Sequence, residues 1–591
     1  MSEYSPPLAD MRFVLEHVVD LAGLAAVPGY EHADPDTVFG VLEEAGRLFA
    51  QEFAPLNRVG DTQPSRRHDD GSVTMPEGFA RAYRHYVDGG WAGVPFPTDY
   101  GGGGFPWLVG TAIQEMVTAA NMAFSLCPFL TQGAIDMLLE YGTEEQRELF
   151  LPKMVTGTWT GTMNLTEPQA GSDLGALTTK AVPADDGTWR LTGQKIFITY
   201  GEHDLAENIV HFVLARVPGA PPGTRGISCF IVPKFLVADD GSPGERNRVD
   251  CVSIEHKMGI HASPTCVMAY DGAVAYLVGE PNAGMRYMFR MMNNSRLAVG
   301  LEGLGVGERA YQQAVAHARE RRQGRPPGAP AGESVPIVEH PDVRRMLLTM
   351  RAQIEALRCL AYLNAECIDL ANRHPDEEVR TRRQEQADLV TPITKAWGTD
   401  LGVELSSLAV QVHGGMGYIE ETGVSQHYRD ARIAPIYEGT NGIQAIDLVG
   451  RKLPMRGGGV IGDLLAAIAA TADELVADGD LSTIGKRLAD AHAVLRQATD
   501  WLLANGATDP TNALAGATPY LRMCGIVVGG WLLARSAQAA ARLLDDGRGD
   551  ADFLGQKVVT ARFYAEQLLP QAAGLAPAVT AGPADLAAAR F

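Results

Sequence analysis

Apolar residues recur at three- and four-residue spacing over most of the chain, and that spacing predicts helices. R-F-V-L-E-H-V-V-D-L and T-V-F-G-V-L-E-E-A-G-R-L-F-A show it near the start. Q-E-M-V-T-A-A-N-M-A-F-S-L and Q-G-A-I-D-M-L-L-E-Y show it again before residue 155. D-Y-G-G-G-G-F-P interrupts them as a loop. From 156 to 282 the texture changes. W-R-L-T-G-Q-K-I-F-I-T, N-I-V-H-F-V-L-A-R-V, G-I-S-C-F-I-V-P-K and T-C-V-M-A-Y-D-G-A-V-A-Y-L-V are rich in β-branched and aromatic residues and bounded by Gly, Pro and Asp. No long helix separates them, which predicts an antiparallel sheet or barrel and not a doubly wound fold. Long helical runs return from 283 to 455, split by the loop P-P-G-A-P-A-G-E-S-V-P, with His340 before a helix-starting Pro341. After the linker M-R-G-G-G-V come Ala-rich amphipathic helices, 456–591. The pattern predicts an α+β, mainly helical chain in four stretches, 1–155, 156–282, 283–455 and 456–591, without a repeat of fixed period.

Composition narrows the function classes. With 591 residues and 46% hydrophobic content the chain can bury a large core. A formal charge of -21, with only the short basic stretch A-R-E-R-R-Q-G-R around Arg321, argues against nucleic acid as a partner. Seven scattered cysteines, none in C-x-x-C, form neither a disulfide framework nor a zinc site, and no metal is expected. A reduced, cytoplasmic setting follows as the expectation, and M-S-E-Y-S-P-P-L-A-D carries no basic-then-apolar leader pattern. The most apolar run, Gly525 to Ala534, ends at Arg535 and reads as a buried helix, not as an integral membrane segment.

Five short stretches carry candidate chemistry. M-N-L-T-E-P-Q-A-G-S-D-L-G, Met163–Gly175, opens a loop of small and hydroxyl residues; it can offer N–H and hydroxyl groups to a planar polar ligand, or simply turn. In G-Q-K-I-F-I-T, Phe197 and Thr199 lie two apart on a predicted strand and share a face. That face could stack on a ring system or half-bury against a core. R-E-R-R-Q-G-R, Arg319–Arg325, ends a long helix, where the dipole alone favours cations and where arginines could also hold a pyrophosphate. A-V-Q-V-H-G-G-M-G-Y, Ala409–Tyr418, has paired glycines that permit close backbone approach. A-P-I-Y-E-G-T-N-G-I-Q-A-I, Ala434–Ile446, sets one carboxylate, Glu438, between an apolar run and a glycine-rich turn, before a helix that Thr440 or Asn441 can cap. Glu438 reads either as a helix-start acid or as a general base. No G-x-G-x-x-G stands at a strand–helix turn and no P-loop is present; G-V-G-E-R-A, Gly305–Ala310, lies inside a helical pattern.

Together and in this order, these stretches resemble the acyl-CoA dehydrogenase family of flavoproteins, over about residues 35–455. G-T-W-T-G-T-M-N-L-T-E-P, Y-G-E-H-D-L-A-E-N-I, I-E-H-K-M-G-I-H and Y-E-G-T-N-G-I-Q-A-I-D-L-V-G-R-K-L look like its long branch. That branch includes 3-methylmercaptopropionyl-CoA dehydrogenases and adds a C-terminal helical domain, which 456–591 fits. The resemblance implies an N-terminal helical domain, a central antiparallel β-domain and a C-terminal four-helix bundle, with FAD as cofactor, an acyl-CoA as substrate, electron-transfer flavoprotein as electron acceptor and a homodimer as assembly. It places Met163, Leu165, Thr166 and Ser172 on the loop against the flavin, Ser172 also meeting the acyl-CoA. Phe197, Ile198 and Thr199 match the strand along the isoalloxazine, Phe197 standing where many relatives have Trp. Arg321 matches an arginine that reaches the FAD pyrophosphate of a neighbouring subunit. Gln323, on the adenine side, and Gly324 replace a Thr-Phe pair of shorter relatives. Gln411, Gly414 and Gly415 match a segment that meets FAD across the dimer interface. Thr440 and Gly442 match positions near the adenosine-diphosphate part, Arg296 one near CoA, and Tyr437 and Gly439 flank the substrate. Glu438 matches the catalytic base of most relatives. Others carry the base just before the residue matching Arg296; here that is Ser295, which cannot serve.

The implied reaction makes sense of an acid at that turn. A thioester α-proton is weakly acidic, so removing it needs a placed base and a stabilised enolate oxygen. Desolvation raises a carboxylate's proton affinity; Ile436 and Tyr437 offer an apolar approach, and Gly439 leaves room for the thioester. By resemblance, the Glu438 backbone N–H and the FAD ribityl hydroxyl stabilise the enolate, the β-hydride passes to flavin N5, and the product is a trans-2-enoyl-CoA, as in fatty-acid β-oxidation and lipid metabolism generally. The rivals are a dehydrogenase specific for 3-methylmercaptopropionyl-CoA, an acyl-CoA oxidase, and a silent scaffold relative.

Overall fold

A computed structural model of the chain describes residues 4–328 and 332–591. The proline-rich loop expected after Arg325 therefore lies partly outside the described residues. In chain order, the elements used below are α1 (Leu8–His17), α2 (Trp107–Ala120), α3 (Met122–Tyr141), β1 (Trp159–Asn164), β2 (Lys180–Pro183), β3 (Trp189–Thr199), β4 (Asn208–Ala215), β5 (Ser228–Pro233), β6 (Val249–Ile254) and β7 (Thr265–Leu277). Then come α4 (Gly284–Glu320), α5 (Pro341–Arg373), α6 (Glu377–His413), α7 (Asn441–Asp447), α8 (Gly459–Ala477), α9 (Ser482–Thr508), α10 (Ala517–Asp545) and α11 (Ala551–Gln567). The chain divides into two compact units. One comprises Arg47–Phe105 and Met116–Ala298; the other comprises Met1–Gly46, Pro106–Glu115 and Val299–Phe591.

The first unit is built on a seven-stranded sheet in the order β1-β4-β5-β7-β3-β2, with β6 paired to β7. The sheet is mixed and not wholly antiparallel: β1 and β4 run parallel, Met163 opposite Phe212. The intervening excursion through β2 and β3 is long enough for the chain to return to the same end of the sheet, which a hairpin cannot do. Leu191, Ile198, Val213, Phe230, Val232, Cys266 and Met268 form its buried core. Gly161 of β1 lets α3 approach closely, since a Cβ there would come 2.6 Å from the Ala134 Cβ. A two-residue hairpin, Arg66–Arg67 with Val73–Thr74, interrupts the region expected to be all helical; it is too short to leave a periodic signal. The apolar stretch expected as one helix before Leu126 is two helices, because Asn121 caps the second by accepting from Phe124 N–H.

In the second unit the glycines of L-A-V-G-L-E-G-L-G bring α4 against α6. A Cβ on Gly303 would come 1.9 Å from the Gly398 carbonyl oxygen, so no other residue permits this approach. Gly525 and Gly529 of α10 likewise lie against the Trp397 ring of α6, and Tyr564 of α11 donates to the Ile526 carbonyl at 2.9 Å. A buried charge network joins five helices. Arg358 (α5) donates to Glu115 of α2 at 2.7 and 2.8 Å and to Glu308 of α4 at 2.8 Å, and it also bonds Asp10 of α1. Lys557 (α11) bonds Asp10 and reaches Glu355 at 2.8 Å.

α3 and α10 are each long and apolar enough to cross a bilayer. The apolar run expected to be too short to span, Gly525–Ala534, lies within the longer helix α10. In both, 83% of the apolar window is buried within the protein, as in core helices. All seven cysteines are buried free thiols.

Candidate active site

In the sheet unit, Met163 is the last residue but one of β1, and Leu165 and Thr166 follow the strand. The Thr166 carbonyl accepts from Ile196 N–H at 2.9 Å, which stitches this loop to β3. On β3, Lys195 pairs with Met268 and Ile198 with Cys266, so Ile196 and Phe197 together oppose the single residue Val267. This is a β-bulge. It puts Phe197 at φ +60°, a left-handed conformation unusual for a bulky residue, and leaves the residue 59% exposed. Thr199 is half-buried, while the Ile198 side chain points into the core at 2% exposure. Only the backbone of Ile198 is therefore available to a ligand. Ser172 is exposed on the loop. Arg296, on the part of α4 in this unit, is 6% exposed beside Ser295, which is also buried.

Sequence reasoning missed what holds the loop. Glu167, 2% exposed, accepts from the N–H and hydroxyl groups of both Thr178 and Thr179 and from Lys195 Nζ at 2.8 Å. Lys195 also donates to the Leu165 carbonyl at 2.9 Å. Burial works to raise the Glu167 carboxyl, but the Lys195 ammonium and the threonine donors outweigh it and hold it at about 2. For Lys195 burial dominates, drawing it down to about 8 against the pull of Glu167. Five further hydrogen bonds converge on the carboxylate, four from Thr178 and Thr179 and one from Gln169 Nε2 at 2.7 Å, and keep it ionised. A depressed carboxyl stabilises the fold above its ordinary value and loses that contribution as pH falls. The sheet unit is therefore expected to weaken between pH 4.5 and about 2. Unfolding midpoints measured across that range should fall more gently in Glu167→Gln.

In the helical unit, Glu438 sits at φ +53° and Gly439 at φ +82°. A left-handed non-glycine residue is costly unless its surroundings hold it, and here they do. Lys395 of α6, buried, donates to the Ala434 carbonyl at 2.9 Å and to Asn441 Oδ1 at 2.8 Å. The Asn441 N–H closes the turn onto the Pro435 carbonyl at 3.0 Å. Tyr437 donates its hydroxyl to Glu302 of α4 at 2.5 Å. Thr440 is the N-cap of α7, accepting from Ile443 N–H at 3.2 Å, and Gly442 is exposed in its first turn. The helix-start reading of this turn and the base reading are thus compatible: Thr440 caps, and Glu438 stays outside the helix. Glu302 and Lys395 were also missed. Their only local signal is a lone charge within a run of apolar and small residues.

The same unit brings the ends of α4 and α6 side by side. His317 stacks on His413 with ring centroids 4.2 Å apart. Arg321, one turn beyond His317, is exposed, as are Gln411, Gly414 and Gly415. Gln323 is fixed by its backbone, N–H to the Val335 carbonyl at 3.0 Å and carbonyl to the His340 ring at 2.8 Å.

An exposed aromatic on a bulge beside a loop of small and hydroxyl residues suits a flat polar ring. Exposed arginine near a glycine pair suits an anion. Four domain families match the chain in order: "Acyl-CoA dehydrogenase, N-terminal domain" over 43–158, "middle domain" over 162–273, "C-terminal domain" over 282–453, and "Acetyl-CoA dehydrogenase C-terminal like" over 464–590. The chain belongs to the acyl-CoA dehydrogenase family, a family of FAD-binding oxidoreductases. More narrowly, it is 50% identical to the 3-methylmercaptopropionyl-CoA dehydrogenase of Ruegeria pomeroyi, over 96% of each chain. It is 34% identical to a butyryl-CoA dehydrogenase of Syntrophomonas wolfei, over 97% of this chain and 96% of that one. The crystal structure of an acyl-CoA dehydrogenase from Bacillus anthracis, complexed with FAD, shares the fold, with a TM-score of 0.74 at 21% identity over 96% of this chain and 91% of that one.

Proposed function

We propose that this chain dehydrogenates an acyl-CoA thioester between its α and β carbons, with Glu438 as the base that takes the α-proton. The turn carries the reading. A carboxylate held in a left-handed conformation by Lys395 and Tyr437, and followed by a glycine, is a side chain placed at some energetic cost, and such strain gathers at functional sites. Glu438 holds the proton on its carboxylate, and its backbone N–H is the donor toward the developing enolate oxygen. Gly439 and Tyr437 border the thioester, and Arg296 and Ser172 serve the CoA ester.

The residues present fit FAD. Met163, Leu165, Thr166, Ser172, Phe197, Thr199 and the backbone of Ile198 would hold its ring system. Arg321, Gln323, Gln411, Gly414, Gly415, Thr440 and Gly442 serve the phosphates and adenosine. When bound, FAD supplies the acceptor for the β-hydride. Electron-transfer flavoprotein as the acceptor from the enzyme, a homodimeric assembly and a cytoplasmic site in fatty-acid oxidation complete the proposal.

Within this reaction we favour 3-methylmercaptopropionyl-CoA as substrate, on the 50% identity to the enzyme of that name against 34% to the butyryl-CoA enzyme. Comparing kcat/KM for 3-methylmercaptopropionyl-, butyryl-, octanoyl- and palmitoyl-CoA tests it. The first should lead; a lead for octanoyl- or palmitoyl-CoA contradicts the choice. Stoichiometric peroxide during turnover would make the enzyme an oxidase instead.

A further inference from the structure

We propose that Glu302 is a positioning residue for Glu438: it fixes the turn of the base through Tyr437 and, as a buried acid with one oxygen unbonded, stays neutral near neutral pH. The proposal rests on the reading of Glu438 as base. Glu302 is 1% exposed and lies on α4 where the glycines bring that helix against α6. Its Oε2 accepts the Tyr437 hydroxyl at 2.5 Å. Its Oε1 is buried and has no hydrogen-bond partner among the described residues. A buried carboxylate with one oxygen unbonded is costly, and a neutral acid much less so.

The titratable and charged groups facing Glu302 are Tyr437 and Glu438 on the turn and Lys395 on α6. Burial pushes Glu302 up to about 8; the Glu438 charge pushes the same way, and the Tyr437 hydrogen bond and Lys395 oppose both. Burial likewise keeps the Tyr437 phenol protonated, so its O–H is committed to Oε2 and the Glu302 proton sits on Oε1. Burial and the nearby Glu438 charge both favour the neutral acid at Glu302. Above about pH 8 a buried negative charge appears behind the turn that presents Glu438, and the rate of proton removal falls.

The test uses the flavin-loaded enzyme and three variants. Glu302→Gln keeps an acceptor oxygen and neutrality; its rate of anaerobic flavin reduction at pH 7 should stay within about threefold of wild type, and the fall near pH 8 should vanish. Glu302→Leu and Tyr437→Phe should each slow reduction about 10- to 100-fold, with acyl-CoA affinity little changed, and the double variant should be no worse than the slower single one. Without substrate, the infrared difference between neutral and alkaline enzyme should show one protonated carboxyl lost near pH 8, absent in Glu302→Gln. An enzyme that no acyl-CoA reduces sinks the reading of Glu438 as base. An enzyme that is reduced, yet lacks that infrared band or shows wild-type rates and pH profile in Glu302→Leu, sinks the role of Glu302 alone.

Discussion

Glu438→Gln is expected to keep its fold and its FAD and to lose about 10²- to 10⁴-fold in the rate at which acyl-CoA reduces the flavin. The amide has the shape of the carboxylate and no useful basicity. The contacts that shape the turn come from its neighbours. Lys395 holds Ala434 and Asn441, Tyr437 bonds Glu302, and Thr440 caps α7. The substitution therefore removes a proton acceptor and leaves the site that presents it. Acyl-CoA affinity should change little, so the loss falls on kcat and kcat/KM together. Stopped-flow absorbance under anaerobic conditions separates binding from reduction. Reduction at the wild-type rate would move the base to another residue, and Ser295 is no candidate.

The largest effect on stability is expected at Arg358. Arg358→Leu should destabilise the helical unit by about 3–5 kcal/mol, because it strands partners that cannot reach water. The guanidinium is 1% exposed and serves Glu115, Glu308 and Asp10 at once, on three helices. Lys557 remains to neutralise Asp10 and Glu355, but nothing of like charge replaces Arg358 at Glu115. Arg358→Lys should recover only part of the loss, since one ammonium cannot reproduce the forked contacts to Glu115 and Glu308. Urea unfolding followed by circular dichroism measures this. An unchanged midpoint would mean that the network contributes register and not stability. A double substitution, Arg358→Leu with Glu115→Gln, should be less harmful than the sum of its parts.

Much of this was legible in the sequence, for physical reasons. Helical spacing in R-F-V-L-E-H-V-V-D-L and T-V-F-G-V-L-E-E-A-G-R-L-F-A marks helices because each buries one stripe, although the first helix already ends at His17. The helix start was legible to within one residue, Thr440 or Asn441, because capping is local; the structure makes Thr440 the cap, its hydroxyl bonding the N–H three residues on. What escaped is non-local. Tyr437 and Glu302 are 135 residues apart and Lys395 and Asn441 46 apart, and no local period encodes such a meeting. The parallel pairing of β1 with β4 and the bulge at Phe197 escaped for the same reason, since register is settled by partner strands. The strand pattern placed Phe197 and Thr199 on one face; the bulge adds the left-handed backbone that leaves Phe197 exposed.

The central step is the transfer of two hydrogens from an acyl-CoA, one of them to a flavin held by this chain. The most direct measurement is an anaerobic absorbance spectrum of the purified protein before and after adding 3-methylmercaptopropionyl-CoA and saturated acyl-CoAs of increasing length. An oxidised flavin band that bleaches on addition, fastest with the first, is the predicted result. A protein with no flavin band even after FAD is supplied, or a band that no acyl-CoA bleaches, would contradict it.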